Sequence, residues 1–182
     1  MIDLCVYASF DGDTELSASI IKLCRITPTL AVNHTDFDPI NERPLLLSIE
    51  TKKSSIDWNT ALLEIGTWHA TQWSFLQWAV RQKMIRQLTE MPKTNEEEEK
   101  FNANLLAILS ALGAMPGIII QGHRWFLILS TYENEKIKVW TGHQFGTTES
   151  YLGVYTVIAG MRQLTAWGRD TYLPWFMANV LF

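Results

Sequence analysis

The sequence predicts a mixed α/β fold, because segments with different hydrophobic periods alternate along it. Residues 45–49 form a run that is apolar except for Ser48, which is typical of a strand buried on both faces. Between residues 58 and 79 apolar side chains recur every three or four positions, as on the buried side of a helix. Three strand-like segments follow at residues 118–121, 125–129 and 137–140. This order favours a central mixed sheet flanked by helices.

The first third of the chain is predicted to hold three strands and one helix. Residues 2–8 alternate in polarity and predict the first strand. Leu16, Ile20 and Leu23 have helical spacing, with Asp13 or Thr14 as a candidate N-cap. Residues 30–35 are interpreted as a second strand, and the apolar run that ends at Lys52 as the third.

The remainder predicts three helices around the later strands. Asp57 is a plausible N-cap for the long helix. Thr94 and Glu97 have the spacing of a capping box, and Gly113 is the expected end of the helix that follows them. A last helix is expected over about residues 149–167, with an apolar tail at residues 172–176.

Length and composition indicate one domain over residues 1–182. The chain has 182 residues, of which 47% are hydrophobic, and a formal net charge of −4. This charge gives no general attraction to nucleic acid, and no run of residues suits a membrane span. Cys5 and Cys24 lack metal-binding spacing and are expected to be reduced, so an intracellular protein, cytoplasmic or nuclear, is predicted. No signal peptide is recognised at the start of the sequence.

An acid and a base close the apolar run. Glu50 and Lys52 are separated by one residue, so on a strand both side chains point to the same face. Burying the pair costs several kcal/mol, on the order known for buried ions, unless the charges are paired or bind an ion. Two interpretations remain open with about even weight: a metal ligand beside a catalytic lysine, or an ion pair at the rim of the sheet.

Seven short blocks of the sequence resemble, in order and context, a fungal PD-(D/E)XK nuclease-like family. They are IDLCVY (2–7), VNHT (32–35), PLLLSIETK (44–52), GTWHATQW (66–73), GHRW (122–125), GTT (146–148) and YLPWF (172–176). The resemblance therefore extends over nearly the whole chain. Its most specific part is the Glu-x-Lys element that closes an apolar strand, after a strand-borne Asp and before a Trp-rich helix.

This resemblance implies a restriction-endonuclease-like core and a catalytic set of Asp3, Glu50 and Lys52. Asp3, Glu50 and the carbonyl group of Thr51 would hold Mg²⁺, with Mn²⁺ as a substitute, because hard oxygen ligands suit these ions. The metal would acidify a bound water and neutralise charge on the phosphate. Lys52 would orient or deprotonate that water and stabilise the transition state.

Two departures from the family pattern affect this expectation. The helix that usually precedes the first strand, often with another acid, is not recognised in this sequence; it is expected to be absent or supplied by a partner chain. Glu64 stands where the family often has glutamine, which adds a negative charge on the helix that faces the site.

A pocket is predicted beside the Glu-x-Lys element. Its expected lining comprises Asn33, His34, Glu64, Trp68 and Gln72. For His34 a structural role in hydrogen bonding is the stronger alternative. For Gln72, which is expected to reach the Glu-x-Lys element, the alternative is a buried side chain that bonds the backbone. The tryptophans are first of all expected in the core, rather than as stacking surfaces for bases.

Three functions are consistent with the sequence. The first is a Mg²⁺-dependent nuclease that acts on nucleic acid. The second is a nuclease fold adapted to another role, such as small-molecule chemistry of a natural-product pathway in a Trp-lined cavity near Glu50 and Trp68. The third is a non-catalytic interaction module, expected to be a homo-oligomer such as a dimer, in which a partner covers the first strand or the patch around Trp175 and Phe176.

Overall fold

The fold is built on one mixed sheet of five strands, in the spatial order β1-β2-β3-β4-β5. A computed structural model describes residues 2–10, 12–55, 57–88 and 91–181. The strands β2 and β3 are parallel, and all other neighbours are antiparallel. Their bounds are β1 (Leu4–Tyr7), β2 (Leu45–Lys52), β3 (Ala114–Gln121), β4 (Arg124–Glu133) and β5 (Lys136–Thr147). The predicted mixed α/β fold with a central mixed sheet is confirmed.

Helices flank this sheet. They are α1 (Thr14–Cys24), α2 (Trp58–Gln87), α3 (Asn95–Ala111), α4 (Tyr151–Trp167) and α5 (Leu173–Asn179), with a one-turn 3₁₀ helix at Asp38–Ile40 and a π turn at Gly168–Tyr172. The caps follow the local sequence: the Asp13 carboxylate accepts from the Leu16 amide at 2.9 Å, and Thr94 and Glu97 form the predicted capping box. None of these helices, within the part of the chain described, has the length and hydrophobicity needed to cross a bilayer.

The two faces of the sheet are covered by different helices. On one face Ile65 of α2 packs with Ile119 and Ile128. On the other, Leu47 and Ile49 pack near Met161 and Leu164 of α4. Because β2 contributes to both faces, its continuous apolar run is explained by burial on both sides.

The prediction of a strand at residues 30–35 is wrong. This segment is a series of bends in which threonine hydroxyls satisfy the backbone: Thr27 donates to the Ala31 carbonyl and Thr29 to the Asn33 carbonyl, each at 2.8 Å. Leu30 also adopts a left-handed φ of +54°, which interrupts an extended chain. Local side-chain hydrogen bonds therefore replace the pairing that a strand would need.

The apolar tail is also different from the expectation. Residues 172–176 belong to the π turn and α5, and Tyr172 and Phe176 are buried in the main core. The Trp175 indole N–H donates to the Ile108 carbonyl at 3.0 Å, and Lys83 donates to the Ala178 carbonyl at 2.7 Å. Much of the patch around Trp175 and Phe176 is thus used within the chain. That a partner covers the first strand or this patch stays a prediction.

Close contact between α2 and the sheet leaves no room for a side chain at Gly117 of β3. A Cβ atom at Gly117 would lie 2.7 Å from His69 Nε2 and 2.8 Å from Ile65 Cδ1. We therefore expect Gly117→Ala to lower the free energy of unfolding by about 1–3 kcal/mol, the usual range for overpacking. Denaturant titration followed by circular dichroism measures this value.

Gly66 on α2 provides the matched control. The nearest atom to a Cβ built there is Val139 Cγ2 at 3.7 Å, an ordinary contact. Gly66→Ala should leave stability unchanged or raise it by up to about 1 kcal/mol, through helix propensity. Equal destabilisation by both substitutions would contradict the packing described for His69 and Gly117.

Candidate functional site

The end of β2 delivers Glu50 and Lys52 to the face covered by α2. Glu50 is 1% exposed although its side chain is acidic. The Lys52 ammonium is paired with Glu50 Oε1 and also contacts Glu64 Oε2 of α2 at 2.6 Å. Alternation along the strand thus places the acid and the base together, as predicted, and Glu64 adds a second carboxylate from the helix.

The Glu50 carboxylate is only partly satisfied. Its Oε2 atom is buried and has no hydrogen-bond partner among the described residues. Burial raises the pKa of the Glu50 carboxyl above its usual value, while the hydrogen bond from Lys52 opposes that rise. Hydrogen bonds to Glu50 and then Glu64 raise the pKa of Lys52, so its ammonium stays charged at neutral pH.

Asp3 reaches the same edge of the sheet through Thr51. Its Oδ2 atom accepts from the Thr51 amide at 2.8 Å and from the Thr51 hydroxyl at 2.7 Å. The Thr51 hydroxyl bond is the main cause that lowers the pKa of Asp3, and the charge of Lys52 lowers it further. The charge of Asp3 in turn contributes to the raised pKa of Glu50. The three side chains are therefore electrostatic neighbours, although Asp3 is bonded to Thr51 and not to Lys52.

The oxygen atoms at this edge suit a hard divalent cation. Across residues 2–10, 12–55, 57–88 and 91–181, no group of three or more His, Cys, Asp or Glu residues is arranged to hold a metal. Mg²⁺ needs no such group, since it commonly takes one or two carboxylates and completes its shell with water and phosphate. The buried Oε2 of Glu50, which has no hydrogen-bond partner among the described residues, is an oxygen of the kind that such an ion takes. The Thr51 carbonyl points to the same side as its amide, toward Asp3, because both groups of a strand residue face one neighbour.

Comparison with known families gives a match over most of the chain. The family described as the PD-(D/E)XK nuclease superfamily matches residues 1–173. The chain belongs to this superfamily. Its five-stranded mixed sheet with flanking helices is consistent with the restriction-endonuclease-like fold, and members of the superfamily typically use divalent metals. Searches of curated proteins and of solved structures give no match.

On this PD-(D/E)XK core, Asn33 has a structural position. Its amide nitrogen donates to the carbonyls of Ile40 at 2.7 Å and Arg43 at 2.9 Å, and its side-chain oxygen accepts from the Leu45 amide at 2.9 Å. These bonds hold the bends of residues 30–43 against the start of β2. Asn33 thereby fixes where the strand that carries Glu50 begins.

The five predicted pocket residues do not line one common pocket. His34 and Trp68 contact each other edge to face, with ring centroids 4.4 Å apart, and line a depression of about 700 Å³. Glu64 instead contacts Lys52, and Gln72 is buried, with its amide 3.4 Å from the Leu45 carbonyl. Glu50 does not line this depression. The structure therefore separates the His34–Trp68 depression from the Glu-x-Lys element of the superfamily.

A buried polar group deeper under α2 was not expected from the sequence. Ser130 Oγ lies 2.9 Å from His69 Nδ1 and accepts from the Trp73 indole N–H, also at 2.9 Å. His69 is fully buried, and its Nε2 has no hydrogen-bond partner within the described chain. The sequence hint was Ser130, which directly follows the apolar residues 125–129 of β4, and it acquires a meaning only when α2 is placed over the strand.

The two histidines under α2 predict a loss of stability in mild acid. Burial lowers the pKa of both His34 and His69 to about 4, below the value of about 6.5 in an unfolded chain. Above pH 6.5 both histidines are neutral in the folded and in the unfolded chain, so they do not change the free energy of unfolding. As the pH falls from about 6.5 toward 4, the unfolded state binds protons first, so each histidine should remove about 2 kcal/mol of stability by about pH 5.

Denaturant titrations at about pH 7.5 and pH 5 test this expectation, since the two conditions lie on either side of the unfolded-state pKa. His69→Gln should be less stable at the higher pH but lose less stability on acidification than the wild type. His143→Gln is the control, because His143 is exposed on β5. An unchanged acid sensitivity in His69→Gln would show that the buried imidazole is not responsible.

Proposed function

We propose that this chain is a Mg²⁺-dependent nuclease-like phosphodiesterase that acts on nucleic acid. The observation that supports it most is the buried Glu50 carboxylate beside Lys52, one oxygen of which has no hydrogen-bond partner among the residues described by the structure. Burying an acid with one unpaired oxygen costs free energy, and an ion pair that only closed the rim of the sheet would not require that burial. Asp3, Glu50 and the Thr51 carbonyl would hold the metal, and Mn²⁺ would substitute for Mg²⁺.

When bound, the metal would act as a Lewis acid toward the phosphate and lower the pKa of a coordinated water. Lys52 contributes a fixed positive charge at the scissile phosphate. Because its two carboxylate neighbours raise the pKa of Lys52, the ammonium is a hydrogen-bond donor and not a proton acceptor in this state. Its role is therefore to orient the attacking water and stabilise the developing negative charge.

Positive side chains at the same end of the sheet support a polyanionic substrate, despite the net charge of −4. The Gly122 amide donates to the Lys52 carbonyl at 2.9 Å, and Arg124 pairs with Gln121 in the turn from β3 to β4. Lys53 and Arg124 are exposed around this point. These two cationic side chains can contact phosphates.

Substitution of the acid and the base tests the proposal directly. We expect Glu50→Gln to lose calorimetric Mg²⁺ and Mn²⁺ binding and both Glu50→Gln and Lys52→Gln to lose metal-dependent plasmid nicking. The loss should be about 10²-fold or more, as for the removal of one charged transition-state contact. Both substitutions keep the approximate side-chain size, and circular dichroism establishes that the variants fold.

Glu133→Gln is the matched control for these variants. Glu133 also forms an ion pair, with Lys138 at 2.5 Å, but it lies at the far end of β4. Nicking and metal binding should therefore persist in this variant. Full activity in Lys52→Gln, or nicking that survives removal of divalent metal, would refute the assignment.

A second candidate function is binding or conversion of a small molecule at the His34–Trp68 depression. Both ring nitrogens of His34 and the indole nitrogen of Trp68 are buried without hydrogen-bond partners in the described residues. Such groups can orient a ligand in an aromatic site. If the chain is a nuclease fold adapted in this way, no nucleic acid is cleaved under any metal condition. Trp68→Leu should then abolish ligand binding without changing the Glu50–Lys52 pair.

A further inference from the structure

The outward side of α4 carries an apolar stripe that no described element covers. Tyr151, Tyr155 and Ile158 are 91%, 70% and 50% exposed, and neighbouring Leu152 is 75% exposed. Their spacing of four and three residues puts Tyr151, Tyr155 and Ile158 on one side of the helix. We call these four residues the α4 stripe. The opposite side of α4, with Gly153 and Val157, is buried against the sheet.

Charges of opposite sign stand at the two ends of the α4 stripe. Arg162 extends it by one further turn and is exposed. Glu149 precedes the helix at the other end, and its carboxylate accepts a long hydrogen bond of 3.3 Å from the Thr147 hydroxyl. Neither residue forms a salt bridge with any part of the chain that the structure describes. The acid and the base thus remain available for charges outside this chain.

The shape of the surface is also uneven along α4. A groove of about 530 Å³ runs beside the second half of the helix, lined by Ile158, Met161, Arg162 and Thr165. The first half instead carries the projecting side chain of Tyr151. A projection at one end and a groove at the other complement each other when two such helices run in opposite directions.

We propose that two copies of this chain associate through their α4 stripes, antiparallel about a two-fold axis that passes between Tyr155 and Ile158. Such an axis pairs Tyr151 with Arg162 of the second copy, and Tyr155 with Ile158 of the second copy. Each Arg162 guanidinium then meets a tyrosine ring and lies near the Glu149 carboxylate of the other copy. The interface is isologous, so every contact occurs twice.

This charge pattern favours a second copy over other occupants. A membrane-binding helix carries several basic residues beside its apolar side, whereas the α4 stripe is bordered by one acid and one base. In the antiparallel pair both charges are compensated by the same surface on the other chain. Because α4 and α2 cover opposite faces of the sheet, the dimer interface lies on the face opposite to the one that carries Glu50 and Lys52.

Sedimentation velocity over a range of concentrations tests the dimer. One helix on each side gives a small interface, so we expect reversible, concentration-dependent association of the wild type. Tyr155→Glu should weaken it at least roughly tenfold by placing charges near the axis. Leu63→Glu is the control, because Leu63 is an exposed apolar residue of α2, at 71% exposure, that lies outside the stripe.

A charge exchange tests the orientation. Arg162→Glu alone should weaken association, since it places an acid beside Glu149 of the second copy. The double variant Glu149→Arg with Arg162→Glu should recover association, because the opposite charges are restored. The proposal is overturned if the wild type remains monomeric, whether or not it binds anionic vesicles. It is also overturned if the wild type dimerises and Tyr155→Glu does not weaken the dimer. Failure of the double variant to recover overturns the antiparallel arrangement.

Discussion

The contact of Lys52 with Glu50 and Glu64 is the constraint on which the candidate site depends. A buried carboxylate is tolerated at the end of β2 because an ammonium group neutralises it, and the ammonium is held by a second acid from α2. This arrangement ties the strand to the helix at one point. It also requires β2 to be apolar before Glu50 and α2 to begin soon after Lys52, which is the order in which the sequence supplies them.

Several elements could be predicted because their determinants are local. The apolar run of β2, the helical period of α2 and the capping box of α3 each lie within a few turns of sequence. The common face of Glu50 and Lys52 also follows from strand geometry alone. The bends of residues 30–35 could not be predicted in this way, because the Thr27 and Thr29 hydroxyls that form them compete with strand pairing only in the folded chain.

The sequence predicts which residues lie at the candidate site, but not the contacts that they make there. Asp3 and Glu50 were both expected at one edge, yet the bonds of Asp3 to the Thr51 amide and hydroxyl arise from the pairing of β1 with β2. The Lys52–Glu64 contact depends on the position of α2 over the strand. Asn33 and Ser130 acquire their roles only through partners distant in sequence, Leu45 for the former and His69 and Trp73 for the latter. Tertiary packing decides such contacts, and no local pattern encodes it.

The parallel pairing of β2 with β3 has a consequence for synthesis and folding. Residues 53–113, which include α2 and α3, separate these adjacent strands along the chain. During translation β2 therefore emerges long before its central neighbour, with only the four-residue β1 available to pair with it. Non-local pairing of this kind is slow, and a strongly apolar strand with an open edge attracts other chains in the meantime. Nascent-chain chaperones should consequently bind this protein after residues 45–52 have been synthesised and before residues 114–121 can pair with them.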